Sequence, residues 1–109
     1  MPERNPSLKK PHLKYEGEWS NDKQNGYGIL EWRDGDKYEG FFKDGEFSGK
    51  GTYYYNLQDS FIKYEGEWLN GNKNGYGVLE WRSGDKYEGF FKDDWRSGKG
   101  TYYYNSQEP

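Results

Sequence analysis

The sequence predicts an all-β protein in which four β-hairpins follow one another along the chain. Its 109 residues include 12 Tyr, 6 Phe and 5 Trp but no Ala or Cys, and aromatic residues favour strands, whose half-buried surfaces accommodate their rings. Glycine occurs 16 times, and no apolar stripe has the 3.6-residue period of a helix. The third observation is an internal repeat about as long as one hairpin.

The repeat operates at two lengths. Shifting the sequence by 49 residues aligns 15–56 with 64–105, and 33 of these 42 positions are identical. Within each long unit, the motifs YEGEW and YEGFF each begin a shorter copy that continues to a Gly-x-Gly motif. The copies therefore divide the chain into 15–37, 38–63, 64–86 and 87–105.

Each copy has the pattern of two strands joined by a turn. Alternate residues of a strand share a face, so Tyr15, Gly17 and Trp19 point one way, as do Gly26, Gly28, Leu30 and Trp32. The polar stretch SNDKQN lies between these segments, and its Asn25 with the following Gly26 predicts the hairpin turn. The words RDGDK and RSGDK predict the turns into the next copies.

The glycines are predicted to be covered by aromatic rings. A glycine on a pleated face leaves a hollow, and glycine within a strand often marks close approach of another group. We therefore expect the rings of one strand to lie across the glycines of the next, so that stacked rings form the core of a chain that is poor in aliphatic residues. Five residues per copy define this pattern: Tyr15, Gly17, Trp19, Gly26, Gly28; Tyr38, Gly40, Phe42, Gly49, Gly51; Tyr64, Gly66, Trp68, Gly75, Gly77; Tyr87, Gly89, Phe91, Gly98, Gly100.

Charge divides the chain into a lead-in and an array. The net charge is −3; residues 1–14 carry four basic residues against one acidic residue, whereas the remainder carries 12 against 18. We predict a flexible, basic, Pro-containing lead-in at 1–13, the four-hairpin array at 14–105 and a tail at 106–109. His12 is interpreted as a solvated lead-in residue, and Lys9 and Lys10 as linker residues that could alternatively touch anionic lipid. The acidic array argues against nucleic-acid binding.

Catalytic and cofactor chemistry is not predicted. With one His and no Cys, a thiolate metal site and a His- or Cys-based nucleophile system are both excluded. The GKGT words at 49–52 and 98–101 lack the spacing of a phosphate-binding loop. Glu16 with Glu18, and Glu65 with Glu67, have the strand spacing of paired carboxylates, but they recur with the repeat and are interpreted as a solvated face near Lys14, Lys37, Lys63 and Lys86. We expect no enzyme activity and no cofactor or metal.

The pattern Tyr-x-Gly-x-Trp/Phe followed by Gly-x-Gly, in copies of about 23 residues, resembles the MORN repeat. The resemblance extends over 15–105; copies two and four depart from it with Phe41–Phe42 and Phe90–Phe91, and Asp22 and Asp94 replace the glycine at mid-hairpin. It implies an elongated, twisted, single-layer antiparallel sheet, and a role as a scaffold, a dimerisation module or a tether at membranes or cytoskeleton. Together with the lack of Cys and of a signal peptide, it predicts a cytoplasmic location with cytoskeletal or membrane association.

The leading functional hypothesis is a non-catalytic scaffold that binds a protein partner, or a second copy of itself, through an aromatic sheet face or an open edge. The last copy ends without an evident cap, so we expect either a longer array or ends covered by another chain. Two alternatives are tethering to anionic lipid and binding of a glycan by stacked rings. Seven aromatic residues are the candidate partner contacts: Tyr27, Phe41, Tyr54, Tyr76, Phe90, Trp95, which is expected in a turn, and Tyr103.

Overall fold

The computed structural model describes residues 10–105, which form one antiparallel sheet where each strand pairs with the next in the chain. The sheet is elongated, with extents of 53 × 28 × 21 Å, and these residues include no helix. The predicted all-β, single-layer array of four hairpins is confirmed. Its strands are β1 (His12–Ser20), β2 (Lys23–Trp32), β3 (Lys37–Lys43), β4 (Glu46–Tyr54), β5 (Phe61–Leu69), β6 (Asn72–Trp81), β7 (Lys86–Lys92) and β8 (Trp95–Tyr103).

The four hairpins close with two-residue turns. In the first, Asn21 and Asp22 have φ of 52° and 65°, the paired positive values that match the twist of a hairpin. The turn predicted at Asn25–Gly26 is wrong, because these residues lie within β2. Gly26 instead has φ of 90°, and it lies where the pairing of β1 with β2 changes register. Asn and Asp tolerate positive φ, so Asn21 and Asp22 can form the two-residue turn without a glycine.

One glycine from every strand joins a row that crosses the whole sheet, each glycine being the Cα partner of the next. A Cβ built on Gly17 would collide with the backbone of Gly28, and the odd-numbered strands repeat this contact. The row therefore requires glycine for close approach of the backbones. Its members are Gly17, Gly28, Gly40, Gly51, Gly66, Gly77, Gly89 and Gly100.

A tyrosine ring covers the glycine of each even-numbered strand. A Cβ on Gly77 would overlap the phenol of Tyr64, and the Tyr64 hydroxyl donates a 3.0 Å hydrogen bond to the carbonyl oxygen of Glu67. The same ring-over-glycine contact occurs in every copy, as expected from the spacing. The other pairs are Tyr15 on Gly28, Tyr38 on Gly51 and Tyr87 on Gly100.

The sheet carries its core on one face, which we call the buried face. Its rings pack on one another along the array: those of Tyr38 and Phe47 stack with centroids 3.9 Å apart, and Tyr64 meets Phe91 of the next hairpin at 5.0 Å. Because the tyrosines lie flat over glycines, their neighbours can cover them without a second layer. The buried apolar residues are Leu30, Trp32, Tyr38, Phe42, Phe47, Tyr53, Tyr55, Tyr64, Trp68, Leu79, Tyr87 and Phe91.

The array begins earlier than the sequence predicts. His12 and Leu13 belong to β1, so the placement of His12 in a lead-in is wrong, although its side chain is exposed as predicted. The ring of His12 meets Trp32 edge to face at 6.0 Å. Phe61 makes the equivalent contact with Trp81 at 5.5 Å. Lys10 bonds to the buried Asp36 at 2.6 Å. Residues 1–9, including Lys9, and the predicted tail at 106–109 lie outside the described residues.

We expect Gly77→Ala to lower the free energy of unfolding by about 2–3 kcal/mol, because its methyl group would overpack against the Tyr64 ring. Urea denaturation of Gly77→Ala, of Tyr64→Ala and of the double variant Gly77→Ala/Tyr64→Ala measures the coupling between the two residues. The cost of the alanine should shrink when the ring is absent. Equal costs in the two backgrounds would show that the ring does not occupy the space above Gly77.

Stability should fall in alkali. Burial raises the pKa of both Tyr38 and Tyr64 above the ordinary value of 10.0, so the folded protein holds these protons more tightly than the unfolded chain. Their contribution to stability is complete below pH 10 and is lost as the pH rises toward the folded-state values. Tyr64→Phe should cost about 1 kcal/mol at neutral pH. It should also reduce the alkaline slope by up to about 1.4 kcal/mol per pH unit, whereas an unchanged slope in urea titrations would contradict this account.

Candidate functional site

The face opposite the core, which we call the open face, carries two exposed aromatic pairs. Tyr27 and Phe41 are Cα partners on β2 and β3, and their rings meet edge to face at 5.5 Å. Tyr76 and Phe90 repeat this contact on β6 and β7 at 5.6 Å. All four rings are 47–49% exposed. They lie one residue away from buried-face positions, so the alternation of the strands directs them outward.

A groove of about 590 Å³ lies between the two pairs, with Tyr27 and Phe41 on one side and Tyr76 on the other. Three members of the glycine row line it as well: Gly40, Gly51 and Gly66. Because glycine lacks a side chain, these strands leave their backbone accessible along the groove. A second depression of about 550 Å³ shares Tyr76 and is lined by further glycines, including Gly89 and Gly100.

Charged side chains complete the groove. Glu39, Glu65 and Glu67 line it together with Lys50, so three carboxylates face one ammonium group. Glu39, Thr52 and Glu65 are successive cross-strand partners, which places two carboxylates on the same side of the groove. An apolar wall next to an acidic one suits a ligand that has both apolar and cationic groups.

Four lysines of the open face lie beside glutamates of their own strand, two residues further on. Lys86 is 3.1 Å from Glu88 and Lys37 is 3.5 Å from Glu39; the pairs Lys14–Glu16 and Lys63–Glu65 measure 3.7 and 3.8 Å. The raised pKa of Lys86 follows from its bond to Glu88. Exposed pairs of this kind contribute little to stability, but they offset the charge of both partners on this face.

Glu18 and Glu67 have a structural role. The side chain of Glu67 accepts a 2.9 Å hydrogen bond from the backbone N–H of Tyr76, and Glu18 does the same at 2.8 Å for Tyr27. In both hairpins the bond lies where the strand pairing shifts register. The carboxylates thus replace a missing ladder bond, which explains why the second glutamate of each pair recurs with the repeat.

The GKGT words lie in strands, at 49–52 in β4 and at 98–101 in β8. A phosphate-binding loop would precede a helix, and no helix occurs among residues 10–105. Within the same range, no three His, Asp or Glu side chains cluster where they could hold a metal ion, and no helix could span a membrane.

The structure divides the seven predicted contact residues into three groups. Tyr27, Phe41, Tyr76 and Phe90 line the two depressions. Tyr54 and Tyr103 lie outside them, beneath the ammonium groups of Lys37 and Lys86 at 5.1 and 5.0 Å. Trp95, predicted in a turn, is the first residue of β8 and is 46% exposed.

The prediction missed the residues between the aromatic pairs. Lys50, Glu39 and Glu65 enter the groove through the cross-strand register, which brings them together from β3, β4 and β5. Pairing the glycine of each Tyr-x-Gly motif with the second glycine of the neighbouring Gly-x-Gly motif would have found them, because the glycine row aligns the residues on either side of it.

The described repeats match known sequences. The MORN repeat profile matches at 15–37, 38–56, 64–86 and 87–107, more than half of the chain. Alsin from Homo sapiens and from Pan troglodytes is 44% identical over 48 residues, 41% of this chain but 3% of alsin. Mouse alsin is 44% identical over 39 residues, 36% of this chain and 2% of alsin. The chain thus spans a small fraction of these relatives, and the four profile matches establish that it belongs to the MORN-repeat family.

Proposed function

We propose that the chain is a non-catalytic scaffold module that binds a segment of a protein partner in the groove of the open face. MORN repeats are generally non-catalytic and occur in scaffold and membrane-associated proteins. The observation that supports the proposal most directly is the pair of half-exposed aromatic clusters on either side of a glycine-lined groove. Aromatic residues in such positions are typical binding hot spots.

The groove favours a partner with apolar anchors and basic side chains. The rings of Tyr27, Phe41 and Tyr76 offer apolar contact area, and burial of an apolar anchor contributes about 25 cal/mol per Å². Glu39 and Glu65 pair with Lys37 and Lys63 in the free chain, and they would exchange these exposed pairs for Lys or Arg of the partner. The accessible glycine backbone would let the partner approach closely, as an extended peptide does on a sheet.

Tethering to anionic lipid is less well supported. Lys10 is bound to Asp34, Asp36 and the hydroxyl of Tyr53, and four of the open-face lysines lie beside glutamates. Juxtamembrane binding gains about 1 kcal/mol per free basic residue, so paired residues contribute less. Flotation with phosphatidylserine vesicles separates this alternative from partner binding.

Glycan binding is the third alternative. Sugars stack on flat ring faces, whereas Tyr27 and Phe41 meet at 76° and cover part of each other. The pair thus offers ring edges as well as faces, a mixed surface that suits protein side chains. A glycan array tests this alternative directly.

We assign the role to the cytoplasm, where the partner would attach the module to the cytoskeleton or to a membrane. The lack of Cys in all 109 residues suits a reducing compartment.

The double variant Tyr27→Ala/Tyr76→Ala should bind the partner about tenfold more weakly or worse, because it removes a ring from each side of the groove. Tagged wild-type chain and variant are used to capture proteins from a cell extract, and the affinity for the captured partner is then measured by calorimetry. In heteronuclear NMR spectra, adding that partner should shift the amide signals of Gly40, Gly51 and Gly66.

The matched control is Tyr54→Ala/Tyr103→Ala, which removes two rings from the same face outside the groove. It should retain the partner, and thermal unfolding should show that both double variants fold. A partner that binds both variants equally, or that leaves the three glycine signals in place, would refute the proposed site.

A further inference from the structure

The strands β4 and β5 form a junction between the two repeated units, residues 15–56 and 64–105. Trp68 is 3% exposed there; its ring meets Phe47 at 5.1 Å and its indole N–H donates to the carbonyl oxygen of Gly51 at 3.1 Å. Tyr55 is 5% exposed, packs on Phe61 at 5.2 Å and donates its backbone N–H to Ile62 at 2.9 Å. The junction thus buries Tyr55 of the first unit and Trp68 of the second.

The two outer strands, β1 and β8, carry residues equivalent to those of this junction, but at opposite edges of the sheet. Trp19 occupies the position of Trp68 and is 58% exposed, and Tyr104 occupies that of Tyr55 and is 78% exposed. Within residues 10–105, β1 and β8 each pair with a neighbour on one side only. Such an edge presents unpaired backbone groups that can bond to another strand.

We infer that β8 of one chain pairs with β1 of a second copy in the register of β4 with β5. Gly51 faces Gly66 at the internal junction, and the equivalent pair is Gly100 with Gly17 of the second copy. The glycine row would then continue from one chain into the next. Tyr104 would pack on His12 as Tyr55 packs on Phe61.

Charges on the two edges are complementary in this register. Lys50 is the Cα partner of Glu67 at the internal junction, so Lys99 would face Glu18 of the second copy. Thr52 faces Glu65, so Thr101 would face Glu16, and no like charges would be opposed at these two positions. Complementary edges favour a second copy in this orientation.

The two units differ at the position that would meet Trp19. Arg96 replaces Phe47, and its guanidinium lies 5.6 Å from the ring of Trp81 and 5.8 Å from that of Tyr87. A planar cation of this kind tolerates solvent in the free chain and can stack on Trp19 in the assembly. The residue before Arg96 also differs between the units: the second unit has the exposed Trp95 where the first has Glu46. Trp and Arg are both enriched in binding hot spots.

This contact joins unlike surfaces, so it is heterologous and adds chains in an open series. It involves the sheet edges and not the open-face groove, so it stands or falls independently of the proposed partner binding.

Sedimentation velocity of the 109-residue chain at micromolar to millimolar concentration should reveal species larger than the 13.0 kDa chain, increasing with concentration. Trp19→Ala, Tyr104→Ala and the charge reversal Lys99→Glu should each weaken association about tenfold or more. Tyr76→Ala, in the groove, should leave it unchanged. Circular dichroism confirms that each variant folds.

Mixing Trp19→Ala with Tyr104→Ala tests the orientation. Each variant alone has one defective edge and can form no intact junction, but the first retains a good β8 and the second a good β1. An equimolar mixture should form a dimer and no larger species. The inference would be overturned if the wild-type chain or the mixture stayed monomeric. It would also be overturned if the variants associated as the wild type does.

Discussion

The fold depends on close contact between a tyrosine ring and the bare backbone of a glycine on the neighbouring strand. An aliphatic-poor chain cannot fill a two-layer core, so its apolar area must come from rings that lie flat on the sheet. Tyr38 can do so because Gly51 has no Cβ, and Phe47 can then stack on the other side of that ring at 3.9 Å. A side chain at Gly51 would push the Tyr38 ring away from the sheet and disrupt its contacts with both Gly51 and Phe47.

The same glycine row connects the core with the candidate site. On the buried face, the absence of side chains admits the tyrosines; on the open face, it leaves a depression between Tyr27–Phe41 and Tyr76–Phe90. The core and the groove both depend on the cross-strand register, because a one-residue slip would exchange the two faces of a strand. A change that disturbs the row is therefore expected to affect stability and the groove together, whereas the exposed rings can be altered without loss of the core.

Sequence periodicity predicts much of this arrangement. The alternation of Tyr15 and Gly17 assigns the faces, and the spacing of the Gly-x-Gly words predicts the four hairpins and their coverage by rings. The prediction of a turn at Asn25–Gly26 was wrong because Asn21 and Asp22 adopt positive φ equally well. No local sequence feature distinguishes the two possible turns. The groove carboxylates depend on pairing between strands, which in turn depends on turn length.

Lys73 is a further residue whose environment could not be predicted. Its side chain is fully buried, 4.0 Å from Asp94 and over the rings of Tyr64 and Trp68. The corresponding residues of the first unit are Gln24 and Gly45, so the repeat gives no indication of a buried ion pair. Burial raises the pKa of Asp94, which Lys73 and its backbone N–H only partly offset. Such an environment arises from tertiary packing between β6 and the turn that joins β7 to β8.

The most direct test of the central contact is the proton chemical shift of the glycine α-hydrogens. The α-hydrogen of Gly51 that occupies the place of a side chain should lie under the Tyr38 ring, whose ring current would move it well upfield of its random-coil position. Gly28, Gly77 and Gly100 should show the same shift, whereas Gly71, with nothing within 4 Å of a Cβ, should not. Random-coil shifts at all four covered glycines would contradict the account.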